Sequence, residues 1–230
     1  MNFPFYINPG WLWFCIGFGG ISLTGFIMHL QSKNFYTLHV FVRKFSILDL
    51  EFPASALELA TFIKGIFLLP KELASKSLRA LKGQLWLHFI FIPFLYGTIF
   101  LLCMQVSCKM NFLGNHVFSF LAWIQVIPLI CDVIENYYLL QKIRPDAEVS
   151  TPLLHKTYQI LGAIKWIISL TAAVFSISIL FYFWLTGHYS ESSAKFLFVI
   201  IAEIILIIIL LRLTVNSSKI DLDKYQNVGN

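Results

Sequence analysis

Asp132, Glu135 and Asn136 stand at positions i, i+3 and i+4 of one apolar stretch, so a helix there presents all three on one face. Lys165 interrupts a second apolar stretch and Glu203 a third, while His88 and Tyr96 belong to a fourth. Carboxylates, an amide and a lysine held in one apolar setting can carry a proton, bind a cation or a small polar solute, or supply a general base. The same groups can instead do no more than lock helices in register. Three carboxylates against Lys165 leave a formal charge of −2 if all are ionised. A dry interior does not tolerate that, so protons, water or a cationic ligand must complete the cluster. We expect Asp132, Glu135, Asn136, Lys165, Glu203, His88 and Tyr96 to form one buried polar cluster, with Asp132–Lys165 the favoured pair and Glu135–Lys165 close behind.

The elements that must position these residues follow from composition. Of 230 residues, 58% are hydrophobic and 13% charged, with 23 Phe and a mean hydropathy of +0.75. Soluble domains run at about 45–50% and about 25%. That balance excludes a soluble enzyme, a disordered chain and a coiled-coil rod. Four cysteines (Cys15, Cys103, Cys108, Cys131) do not make a disulfide scaffold. The expected fold is all-α: an integral membrane helical bundle with five transmembrane helices, a four-helix core plus an N-terminal span. The spans read as residues 11–30, 85–106, 116–140, 157–185 and 195–213, within a single bundle over 1–215. Residues 216–230 read as a polar cytoplasmic tail. The β-branched run Ile204–Ile209 would suggest a strand in water, but in lipid a helix satisfies its own backbone. The first ten residues lack Lys and Arg, so the first span is expected to stay rather than be cleaved.

Lys and Arg set the orientation. Eight lie between the first two spans, from Lys33 to Lys82; Lys142, Arg144 and Lys156 follow the third; Arg212, Lys219 and Lys224 follow the fifth. Only Lys109 and Lys195 fall on the opposite side. The expectation is a cell-membrane protein with its N-terminus outside and its C-terminus in the cytoplasm. The net charge of +5 is this topological bias and calls for no nucleic acid. Asp132, Lys165 and Glu203 each lie about nine residues, roughly 13–14 Å, from the cytoplasmic end of their span. They therefore share one depth.

In the first cytoplasmic segment, Ser55-Ala-Leu-Glu58 reads as a capping box. Leu59, Phe62, Ile63 and Ile66 follow at helical spacing, which predicts an amphipathic interfacial helix over 55–69. Beyond Pro70, KELASKSLRALKGQ is a second basic amphipathic stretch, expected to lead straight into the second span. Anionic lipid headgroups are its expected partners, with a protein docking face as the alternative. Pro93 and Pro128 are expected to kink their spans. No HExxH, CxxC, GxSxG, P-loop or GxGxxG unit occurs, so no metal or cofactor is expected.

The strings LELATFIKGIFLLP, HFIFIPFLYG, CDVIENYYLL and GAIKW together resemble a group of uncharacterised small bacterial multi-span membrane proteins. These share a polar residue before FIPxYG, a D-x-x-E-N helix and a helix with a buried Lys. The likeness covers about residues 57–185, with His88 where an acidic residue is usual. It implies a bacterial inner-membrane protein in which Asp132, Glu135, Asn136 and Lys165 cluster, and it brings no established activity. The leading functional expectation is a small bundle that binds or conducts a proton, cation or small polar solute. The alternative is a non-enzymatic scaffold or assembly factor whose polar cluster is structural. A lipid-modifying enzyme with Asp132 or Glu135 as base ranks third, since no nucleophile accompanies them. A second copy of the chain is a candidate partner.

Overall fold

A computed structural model of the chain describes residues 10–38, 42–146, 148–187 and 194–215; the predicted tail, 216–230, lies outside the described residues. The described chain is mostly helical. Its elements are α1 (Trp11–Ser32), the strands β1 (Tyr36–Leu38) and β2 (Val42–Lys44), α2 (Ile47–Glu51), α3 (Ala56–Phe67), α4 (Lys71–Ser107), α5 (Phe112–Trp123), α6 (Val126–Lys142), α7 (Pro152–Leu185) and α8 (Ala194–Val215). Among the described residues, four stretches are long and apolar enough to cross a membrane: α1, α4, α5 with α6 together, and α7. The fifth predicted stretch falls on α8, whose apolar run Phe198–Ile209 is shorter. Helix α4 is central. It packs against α1 on one flank and against α5, α6 and α7 on the others, while α8 packs on α1.

The basic stretch after Pro70 and the second span are one 37-residue helix, unbroken at Pro93. At 1.5 Å per residue it measures roughly 55 Å, well beyond the ~30 Å of a bilayer core. Its first part carries Lys71, Lys76, Arg79 and Lys82, and its apolar part follows.

The third predicted span is two helices, not one kinked helix. Pro128 has no N–H to offer the Ile124 carbonyl, and its ring would crowd that carbonyl. The chain tightens there. The Gln125 N–H bonds to the Ala122 carbonyl at 3.1 Å and the Ile127 N–H to Ile124 at 2.9 Å. The carbonyl of Leu121, which a regular helix would have paired with the Gln125 N–H, instead accepts the Gln125 side-chain amide at 3.0 Å. Helix α6 starts afresh after this break, and its phase sets which way Asp132, Glu135 and Asn136 point.

Between α1 and α4 the chain builds a folded cap. The hairpin β1–β2 is antiparallel, with Tyr36 opposite Lys44. Helix α3 begins as its sequence requires, with the Glu58 N–H donating to Ser55 Oγ at 3.1 Å. The Glu58 carboxylate reaches back to the Ala54 N–H at 2.6 Å, one residue beyond the usual capping-box partner. Leu59, Phe62, Ile63 and Ile66 are all buried, in a core with Phe35, Phe45, Leu81, Leu139 and Tyr158. The apolar face read as lipid-facing is thus largely turned to protein, because a hairpin absent from the sequence reading covers it. The contact is closest at Gly65, where a Cβ would stand 2.5 Å from the Leu38 carbonyl oxygen and against Thr37 Oγ1. Thr37 in turn donates its hydroxyl to the Phe62 carbonyl at 2.9 Å. Replacing Ser55 by Ala is expected to cost about 1 kcal/mol, read as a lower thermal midpoint, with the cluster described below unchanged.

Candidate functional site

Lys165, on the inward face of α7, is 4% exposed. Its Nζ donates to Asp132 Oδ1 at 2.8 Å and lies 2.5 Å from Glu135 Oε2. Both carboxylates come from α6, where the i, i+3 spacing aims them at the same ammonium. The second Asp132 oxygen accepts the Tyr96 hydroxyl at 3.0 Å and has His88 Nε2 at 3.6 Å. Both of these partners come from α4. Asn136, the last of the three on that face, donates to the Leu85 carbonyl at 2.8 Å and so ties α6 to α4. Glu135 Oε1 has no hydrogen-bond partner among the described residues. It lies over Gly162, where a Cβ would stand 3.2 Å away.

A fourth acid joins them that the sequence reading missed. Glu51, the last residue of α2, brings Oε2 to 3.7 Å from Lys165 Nζ. It arrives from outside the long apolar helices, and the chain anchors it locally. Asp49 accepts the Ser46 N–H at 2.7 Å at the start of α2. Tyr158 of α7 donates its hydroxyl to the Leu50 carbonyl at 3.0 Å, and Gln159 reaches the Pro53 carbonyl at 3.3 Å. Leu50 itself is fully buried. Burial pushes the Glu51 carboxyl above the usual carboxylate range, and the Lys165 ammonium pulls the other way. Nothing in the Phe45–Phe52 string ties Glu51 to a helical face shared with the other acids, so no spacing argument could have found it.

Glu203 does not join this group. Helix α8 packs on α1, and Glu203 Oε1 lies where a Cβ on Gly19 would be only 3.0 Å away. Burial depth along a helix says nothing about which neighbour that helix has, and α8 has α1. The expectation that Glu203 shares the cluster is therefore corrected, and its place is taken by Glu51.

Glu51, Asp132, Lys165, His88 and Tyr96 border a cavity of about 420 Å³. Its remaining walls are apolar: Met28 from α1, Ile47 from α2, Phe91, Leu95 and Ile99 from α4, and Trp166, Leu170 and Ala173 from α7. Ser169 also faces it, one turn beyond Lys165. Its Oγ is buried and has no hydrogen-bond partner among the described residues. Among the described residues no three His, Cys, Asp or Glu side chains converge as metal ligands. The arrangement can hold positive charge, exchange a proton between carboxylates, or accept a hydrogen-bond donor beside Ser169. Neither a family model, nor a curated protein, nor a solved structure matches the chain, so the reading of this site rests on its own geometry.

Proposed function

We propose that the chain is a multi-pass protein of a bacterial inner membrane, with α8 as its fifth span, and that its buried cluster binds a proton, a cation or a small solute bearing positive charge. The N-terminus would lie outside and the C-terminus in the cytoplasm, which puts the cap and the basic end of α4 against anionic headgroups. Exposed Leu57 and Leu68, at the two ends of α3, suit the same surface. One observation carries the binding reading. Two buried carboxylates, Asp132 and Glu135, and the largely buried Glu51 surround one lysine beside a cavity large enough for a solute. The acids outnumber the cation, and the space for a second cation adjoins them.

A scaffold is the second reading, favoured by the way Lys165 joins α2, α6 and α7 at one point. Proteoliposomes separate the two. The wild type is expected to bind or pass at least one of H⁺, Na⁺, K⁺ or methylammonium saturably. Asp132→Asn is expected to lose that property while its folded yield stays at half the wild-type level or better. A wild type inert toward all four probes, with Asp132→Asn failing to fold, would leave the scaffold.

A further inference from the structure

We infer that the ligand of this cavity is a lipophilic organic cation: an ammonium or comparable cationic head on an apolar body. The inference rests on the binding reading above and narrows it to a chemical class. It starts from the mismatch between the two ends of the cavity. One end carries Glu51, Asp132 and Lys165; the rest is Met28, Leu95, Ile99, Leu170 and Ala173, with aromatic faces at Phe91 and Trp166. A hydrated inorganic ion gains nothing from such walls. An apolar solute would leave the charged end unsatisfied.

The charges decide the sign of the head. Lys165 is committed to Asp132 and Glu135 at 2.8 and 2.5 Å, which leaves Glu51, at 3.7 Å, beyond hydrogen-bond distance. Asp132 is further engaged by Tyr96. Glu51 is therefore the least satisfied carboxylate on the cavity wall. An anionic head would become a fourth negative group around one lysine. An ammonium head would pair with Glu51 and take up a charge the cluster otherwise leaves unbalanced.

The second mark of a ligand is Ser169. Its Oγ is buried, faces the cavity and has no partner among the described residues, although a helical serine can bond back to the carbonyl one turn earlier. A head group with several N–H donors placed between Glu51 and Ser169 satisfies both. Aromatic faces beside such a head add cation–π attraction. Size agrees. At about 420 Å³ the cavity falls in the range of pockets that hold small organic ligands.

The test holds the tail constant and varies the head. Full-length protein in zwitterionic-lipid nanodiscs is titrated with decylammonium, decanol, decanoate and methylammonium, each corrected for partition into protein-free nanodiscs. Decylammonium is expected to bind at least tenfold more tightly than each of the other three. Glu51→Gln is expected to weaken it at least tenfold. Ala173→Phe, which fills the apolar end without touching a charge, is expected to abolish it and keeps the test decisive should Glu51→Gln misfold. Methylammonium binding as tightly as decylammonium would overturn the lipophilic class and leave the cation site standing. Decanoate or decanol binding as tightly would overturn the cationic head. Binding of none of the four, with none of the inorganic cations or H⁺ bound either, would overturn this inference together with the reading beneath it.

Discussion

Lys165→Met is expected to be the most damaging single substitution in the chain. Removing one member of a buried ion pair costs about 3–5 kcal/mol, because the other charge stays buried without compensation. Here the ammonium serves Asp132, Glu135 and Glu51 at once, and the only other basic side chain near Asp132 among the described residues is His88, at 3.6 Å. The loss is expected at the upper end of that range. It would be read as a collapse in monodisperse yield and a strongly lowered thermal midpoint in nanodiscs. Neutralising the two α6 carboxylates as well, in Lys165→Met/Asp132→Asn/Glu135→Gln, is expected to restore much of the loss, since amides bury more cheaply than unpaired carboxylates. A single Lys165→Met variant as stable as the wild type would mean that water already screens these groups, and the buried-cluster description would fail.

Gly65→Ala is the second. A methyl group there meets the Leu38 carbonyl oxygen at 2.5 Å and the Leu38 nitrogen at 3.2 Å, as well as Thr37 Oγ1. Two of these are backbone, so no rotamer change relieves the contact. Overpacking of this kind costs about 1–3 kcal/mol, and a backbone clash belongs near the top of that span. The damage is expected to be local. Amide exchange should rise across Tyr36–Lys44 and α3, while α5 keeps its protection. The effect should also reach the cluster, because the hairpin, α2 and α3 share a core with Tyr158, and Tyr158 holds the Leu50 carbonyl beside Glu51. Wild-type exchange in the hairpin of the Gly65→Ala variant would show that β1 can slide away from α3 at no cost.

The long helices were legible because each announces itself locally. About twenty apolar residues need no neighbour to be recognised, and Ser55 with Glu58 marks the start of α3 within one helical turn. The meeting of Asp132 with Lys165 followed from a second local rule, common depth, which works when two helices are neighbours in space, and Glu135 came with it as the residue three positions on along the same face. It failed for Glu203 because depth does not choose a neighbour. The hairpin and Glu51 were illegible for a related reason. Tyr36–Leu38 and Val42–Lys44 are three-residue strands with too few positions to show alternation. Glu51 reaches the cluster only through a tertiary contact made by a five-residue helix. Ser169 was within reach, since it stands four residues after Lys165 on the same helical face. The break at Gln125 was half-seen: Pro128 marked it, but the side-chain amide that seals the Leu121 carbonyl could be recognised only in three dimensions.

The order in which these charges leave the ribosome has its own consequence. Glu51 emerges first, then Asp132 and Glu135, and Lys165 last. Placed alone at mid-bilayer, each acid or lysine costs the insertion machinery about 2.5–3.5 kcal/mol. On the proposed membrane reading, helix α6 with its two acids is therefore a poor passenger by itself and a better one beside α7. On the same reading, the link between α6 and α7, residues 143–151, is short enough for the two to enter lipid together, with Lys165 offsetting one of the two acids. Glu51 can meet Lys165 only once α7 has been made, so the contact between the cap and the bundle waits for most of the chain to be synthesised.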